Sequence, residues 1–469
     1  MVELWQQSAA ELAQTFRSGA ASAAEIVTAH LTRIDAVNPT VNAVVRRLDE
    51  SALATALDVD RAKAGGEALG PLAGVPFTIK DNIDLAGDVT THSVAAYADF
   101  VPTLDAPVVE RMKRAGAIPL ARTNLPDLGL RLDSDSSLHG WTANPWNLDH
   151  TAGGSSGGEA AALATGMTPL GLGNDIGGSL RNPASCCGIA SLKPTFGLVP
   201  HALQGPLGEE SLTEQIIAVE GPMARTVSDV RLQLNVLAGA HPRDPWSVPA
   251  TLGGSTTRPF RIALIAEPPG GSTDPRIADI TTAAAERLRS KGHLVTTTTP
   301  PEWQETLDCW TSIVVGGIAA GMDEMRELLG PDSAAFLDDS IAADEALTDP
   351  EQHEAAWTNR HLLIQAWNRF FVDYDAVLTP TWTELPFQRG FDIAPGGAAK
   401  TIVMARAIKP ANVLGFPSAA VPGGLVDGLP VGLLVTGPAW SDLRCLAIAE
   451  AIEADAPATP IDPRGPTHA

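Results

Sequence analysis

Apolar residues recur at helical spacing from Glu3 to Ile34, with Ala23, Ile26, Val27, Leu31 and Ile34 on one face, and the run ends at Asn38 and Pro39. The pattern predicts two opening helices. It then predicts a strand over Asn42 to Leu48, a helix over Ser51 to Ala64, and a buried strand over Val75 to Ile79 after the breaker Gly74. Alternation continues with a helix over Val108 to Ala115, a strand over Ile118 to Ala121 and a helix over Ser228 to Ala238. Beyond a Pro-, Gly-, Ser- and Thr-rich connection at 239–259, Arg261 to Ala266, Ile277 to Ser290 and His293 to Thr298 spell strand, helix, strand. A helical region at 303–371 follows, then strands at Ala376 to Leu378, Ala419 to Val421 and Gly432 to Val435, and a helix from Asp442 to Ala454. Strands alternating with helices argue for an α/β sheet layered between helices. With no repeat and no sharp change of composition, the expectation is one large domain over 1–469, its catalytic core at about 60–240.

Composition narrows the function. The net charge of −23 repels phosphate backbones and anionic membrane surfaces, so nucleic acid is not an expected partner. Four cysteines in 469 residues, two of them adjacent at Cys186 and Cys187, form neither a disulfide framework nor a spaced zinc motif. A reducing, cytoplasmic setting fits them. The start lacks the basic stretch and apolar core of a secretory signal, and no later window approaches the roughly 20 apolar residues that a bilayer requires.

Eleven of the 43 glycines fall between Gly153 and Gly197, where even scatter would place four or five, so backbone must approach something closely there. Two serine-bearing loops stand out. Gly153-Gly154-Ser155-Ser156-Gly157-Gly158-Glu159 precedes a run of helix formers, with Ser156 and Glu159 at capping-box spacing, and Gly177-Gly178-Ser179 comes just before a helical turn carrying Pro183. Consecutive amides with little side chain around them make a pocket for negative charge. A phosphate loop would want Gly-Lys-Ser/Thr after its glycines, and neither loop has it.

A serine hydroxyl needs a neighbour to take its proton. GGSSG matches the G-x-S-x-G elbow in form, but it follows the polar loop NLDHTA where an elbow needs a strand. No histidine falls in a metal pattern, and His150, the one near the serines, reads as a loop residue. Lysine is the stronger candidate: the chain has seven, and Lys80 closes the apolar strand GVPFTI. Burial can hold such an amine neutral and able to accept a proton. A buried Lys80 paired with Asp81 or Asp175 is the structural alternative, and local sequence leaves both open.

Taken together, GVPFTIKDN, GGSSGGEAAALATG and GLGNDIGGSLRNPASCCGIASLKPT resemble the amidase signature family. The resemblance extends to ARTNLPDLGL, GPMARTVSDV and PGGLVDGLPVGLLVTG. It implies a single α/β/α domain around a mixed central β-sheet, and a serine hydrolase of C–N acyl bonds (amide, anilide or carbamate) working through an acyl-enzyme. Carried over, Ser179 is the nucleophile, Ser155 the bridging serine after a cis peptide, and Lys80 the base. The amides of Ile176, Gly177, Gly178 and Ser179 are the expected oxyanion hole. Ser156 is expected to support the relay, and Asp175 and Arg181 to be structural. Asn174 departs from the serine or threonine commoner there, which leaves its contact with the lysine open. Cys187 and Lys193 are read as structural. The resemblance implies no metal and no organic cofactor.

The glutaminase component of glutamyl-tRNA amidotransferase, its A subunit, shares these motifs and is the alternative, together with an inactive scaffold. Against that component stand NDIGGSL in place of a DTGG form and a C-terminal half without obvious likeness to its glutamine pocket. Specificity is expected from 125–140, 202–217 and 303–371, with Trp141, Trp310 and Trp357 as candidate pocket walls. Whether the chain forms a homo-oligomer stays open.

Overall fold

A computed structural model describes residues 2–205, 210–250, 252–253, 259–342, 347, 349–453 and 460–463. Eleven of its strands join in one mixed sheet: β1 (Val44–Arg47), β2 (Pro76–Lys80), β3 (Ile118–Thr123), β4 (Leu170–Asp175), β5 (Ala190–Lys193), β6 (Val219–Ala224), β7 (Arg261–Leu264), β8 (Leu294–Thr297), β9 (Ala376–Pro380), β10 (Ser418–Val426) and β11 (Leu429–Thr436). Their order is β1-β3-β2-β4-β6-β5-β10-β11-β9-β7-β8. Strand β2 runs parallel to both neighbours, β3 and β4, while β4, β6 and β5 pair antiparallel. Strands with parallel neighbours on both sides are covered on both faces, and every residue of β2 is buried, which is why its sequence reads as a continuous apolar run up to the lysine.

Helices flank this sheet. The helix Gly157–Ala164 packs on β2, β3, β4 and β6, and the helix Arg181–Cys187 packs on β5, β10 and β11 and against that first helix. These two short helices follow directly on the two serine loops, so the sheet fixes where both loops stand.

Two local expectations are corrected. The second helix, Ala23–Val41, runs through Pro39 and stops at Asn42, which adopts the left-handed conformation. Proline this close to a helix end removes only one interior hydrogen bond, so the tertiary packing of Val37 and Val41, both fully buried, carries the helix past it. Ser156 does cap the helix Gly157–Ala164 by position but makes no capping hydrogen bond. The Glu159 carboxylate turns inward instead, where Thr123 donates to it at 2.7 Å and Thr78 also hydrogen-bonds to it. Between the two serine loops, the strand Leu170–Asp175 runs up to the second loop. The region 303–371 is helical as expected, in segments Trp303–Ala320, Met322–Arg326, Pro331–Ala342 and Pro350–Phe370, with 343–346 and 348 outside the described residues. In the connection 239–259, residues 251 and 254–258 lie outside them, as does Ala454 at the end of the last expected helix. No helix among the described residues is long and apolar enough to cross a membrane.

Candidate active site

Side chains alternate along β2, so Thr78 and Lys80 point to the same side of the sheet as the helix Gly157–Ala164. Lys80 is fully buried there. Its Nζ lies 2.7 Å from Ser155 Oγ and donates to Asn174 Oδ1 at 2.6 Å. Neither acidic partner considered for it is taken up. Asp81 instead receives Arg122 and Thr91, and Asp175 receives Arg181. Burial drives the Lys80 pKa down from 10.5 to about 7, against the opposing charges of Glu220, Asp175 and Glu159. The amine is therefore poised between its charged and neutral forms at neutral pH.

Ser155 follows a cis peptide, Gly154–Ser155, and is 2 % exposed. The loop around it is held by side chains the motif reading did not single out. Ser134 Oγ donates to Gly153 O at 2.9 Å and accepts from Gly157 N at 2.9 Å, and Asn182 Nδ2 donates to Gly154 O at 2.9 Å. Gly153 has φ +81°, and a Cβ there would stand 2.7 Å from the Cα of Pro183. That close approach brings the two serine loops together. Ser156, by contrast, has a buried hydroxyl with no hydrogen-bond partner among the described residues.

The second loop is organised by Asp175. Its carboxylate accepts from Gly178 N at 2.8 Å, Leu180 N at 3.1 Å, Arg181 Nε at 3.0 Å and Nη2 at 2.9 Å, and Asn412 Nδ2 at 2.8 Å. The Arg181 guanidinium holds the carboxyl far below its usual range even though burial opposes this. Arg181 in turn donates to Ile408 O at 2.7 Å, which ties the segment at Ile408 to the loop. One expectation changes as a result. The Gly178 amide is occupied by Asp175 and is not free to meet an oxyanion, whereas the amides of Ile176, Gly177 and Ser179 have no hydrogen-bond partner among the described residues.

Ser179 is 6 % exposed and lines an apolar cavity of about 80 Å³. Its hydroxyl makes no hydrogen bond to Ser155. Gly129, on the wall of the same cavity, lies beside Ser155: a Cβ there would stand 3.3 Å from Ser155 Oγ. The helical region supplies Trp310, Val314 and Phe336 to the lining, and the loop after Leu125 supplies Gly129 and Leu132. Trp310 also donates to Ile176 O at 3.3 Å. Of the other two tryptophans considered, Trp141 donates to Asp133 and Trp357 to His353, and neither reaches this cavity. The described part of 202–217 borders a different cavity, with His201, Glu210 and Arg243. Ile402, Ala405 and Lys409 complete the Ser179 cavity from a segment that sequence reading passed over.

The remaining candidates stand aside from this centre. Lys193 donates to Pro194 O at 2.8 Å, and the Cys187 thiol, which burial pushes well up, faces Ala152 O. His150 sits in a bridge with Gln388. No cluster of His, Cys, Asp and Glu among the described residues could hold a metal ion.

A buried amine, a serine on a cis peptide, and a second serine preceded by free amides form a specific arrangement, and comparison with known proteins decides its lineage. The family model "Amidase" matches residues 25–446. The chain belongs to the amidase family. This makes it an amidase-type hydrolase of carbon–nitrogen bonds other than peptide bonds. Among curated relatives, an indoleacetamide hydrolase of Bradyrhizobium diazoefficiens is 39% identical over 462 residues, covering 96% of this chain and 86% of its own. The glutamyl-tRNA(Gln) amidotransferase A subunit of Salinispora tropica is 34% identical, covering 97% of this chain and 98% of its own, so the likeness to that protein does run through the C-terminal half. Among solved structures, a bacterial aryl acylamidase of the amidase signature family superposes with a TM-score of 0.84 at 29% identity, covering 96% of both chains.

Proposed function

We propose that this amidase hydrolyses small amides through an acyl-enzyme on Ser179, with Ser155 and Lys80 as the proton relay. The observation that carries the reading is the buried Lys80 amine, near neutrality and 2.7 Å from Ser155 Oγ. Neutral Lys80 takes the Ser155 proton while Ser155 takes that of Ser179, whose Oγ adds to the substrate carbonyl. The free amides of Ile176, Gly177 and Ser179 receive the oxyanion, each donor being worth about 2.7 to 4 kcal/mol. Collapse expels the amine, protonated by the relay running in reverse. Water then adds to the acyl-enzyme by the same route and the carboxylic acid departs.

The link from Ser155 to Ser179 closes when substrate is bound, since catalytic hydrogen bonds in empty sites are often long. Asn174 holds the Lys80 ammonium in line, the part a serine or threonine takes more often. Asp175 and Arg181 act as the frame of the oxyanion loop, and Ser156 has no assigned part in the relay. The mostly apolar cavity and the indoleacetamide and acylamide relatives favour an amide whose acyl chain packs on apolar side chains beside Ser179, with anilides and carbamates within reach of the same chemistry. Four buried free cysteines suit a cytoplasmic enzyme, and the unbroken sheet suits a single folding unit.

The glutaminase reading retains one supporting observation, the 34% identity along nearly the whole chain. Purified protein tested alone on indoleacetamide, anilides, p-nitrophenyl carbamates and glutamine separates the two. Amide turnover without partners, abolished by Ser179→Ala and by a fluorophosphonate that labels wild type only, supports the amidase. Glutamine turnover that requires added partner proteins rejects it.

A further inference from the structure

The wall of the Ser179 cavity contains two cations, and they differ. Arg131 is neutralised by a two-point ion pair with Asp392, at 2.9 and 3.0 Å. Lys409 is 5 % exposed and has neither a hydrogen bond nor an ion pair among the described residues; its Nζ rests 4.9 Å from the centre of the Trp310 ring. Beyond that ring, the charges of Asp308 and Arg406 act on the amine in opposite senses, and a buried amine whose donors lack hydrogen-bond partners is costly. Its place is nonetheless fixed. The preceding residue, Ile408, accepts from Arg181 through its carbonyl and packs its side chain on Gly178, where a Cβ would meet it at 2.6 Å. Lys409 is therefore held at a fixed place relative to the oxyanion loop, across a cavity whose lining, apart from Arg131, Ser179 and Ser340, is apolar.

We propose that Lys409 binds a carboxylate at the far end of the substrate's acyl group, so that the preferred substrates are monoamides of short dicarboxylic acids. The acyl chain lies along the apolar wall, its carbonyl among the free amides beside Ser179 and its distal anion on Lys409, with Trp310 covering the amine. This inference rests on Ser179 being the nucleophile. Burial lowers the Lys409 pKa to about 7 in the empty cavity, and an anion entering beside it restores the charge. Selectivity of this kind follows from a buried donor left unpaired by the wrong substrate.

The test measures ammonia release by the full chain from succinamate, glutaramate and adipamate against butanamide, pentanamide and hexanamide. The best acid is expected to exceed its neutral counterpart by about 30-fold in kcat/KM, the range of a charge-assisted hydrogen bond. Lys409→Met is expected to remove that preference, with kcat/KM for the best acid falling at least about 10-fold further than that for its neutral counterpart. Inhibition of the wild type by the matching dicarboxylate, stronger than by the monocarboxylate, reads the same contact without any variant. A wild type that favours the neutral amides, or a preference untouched by Lys409→Met, overturns the assignment. Ser179→Ala separates the two readings: turnover surviving it rejects the nucleophile, whereas an enzyme silenced by it yet indifferent to the distal carboxylate rejects Lys409 alone.

Discussion

Replacing Lys80 by methionine should abolish turnover and, at neutral pH, make the protein more stable. An amine whose pKa drops from 10.5 in the unfolded chain to about 7 in the fold carries a penalty of roughly 4 kcal/mol at pH 7, at about 1.4 kcal/mol per tenfold change in proton affinity. Methionine fills similar volume and removes that penalty. It also removes the contacts with Ser155 and Asn174, at about 1 kcal/mol each and a little more for the half-buried acceptor left unpaired at Asn174. The balance is a gain of about 1 to 2 kcal/mol at pH 7. Between the two pKa values the unfolded chain binds a proton that the native chain does not, so wild-type stability rises with pH through that window and the penalty shrinks to roughly 1.5 kcal/mol at pH 9.5. The difference between the proteins should therefore change sign. Urea midpoints followed by tryptophan fluorescence at pH 7 and pH 9.5, with turnover measured in parallel, read all of this. Wild type and Lys80→Met that respond identically to pH would refute the desolvated amine, as would a variant that still turns over.

Activity itself should follow the neutral fraction of Lys80, with kcat/KM rising tenfold per pH unit below about 7 and levelling above it when chemistry is limiting; a flat profile from pH 5 to 9 contradicts the relay. Glu220 is the largest of the charges that raise the Lys80 pKa, ahead of Asp175 and Glu159, so Glu220→Gln should move this limb to lower pH, and a limb that stays put removes Glu220 from the electrostatics of the base. Asp175→Asn leaves Arg181 buried without its ion pair and releases the Gly178 amide, so it should cost about 3 to 5 kcal/mol in urea unfolding and most of the activity. Ala at Gly153 should be similarly damaging to expression of folded protein, because its Cβ would enter the backbone of Pro183 at 2.7 Å, whereas Ala at Gly87, with open space around it, should cost only its positive φ; equal melting temperatures for the two variants would contradict this.

The candidate site was legible at the level of residue type. A lysine closing an apolar strand and two glycine-flanked serines 24 residues apart are local features, fixed by what burial does to an amine and by what a bare backbone can approach. The alternation of elements likewise announced a layered α/β sheet. Other features had no local signature. The commitment of the Gly178 amide to Asp175, the inward turn of Glu159, and the loop support from Ser134 and Asn182 each depend on a partner brought close by folding.

What the sequence determined by itself was thus the set of candidate reactive groups and the strands and helices that carry them, because these follow from spacing and side-chain chemistry within a few residues. Only the tertiary structure decided which groups meet. It placed Lys80 on Ser155 and Asn174 rather than on Asp81 or Asp175, and it brought Lys409, 230 residues beyond Ser179, to the wall of the same cavity. The order of strands in the sheet sets those encounters, and pairings between distant segments are a property of the whole packed chain that no local run of residues encodes.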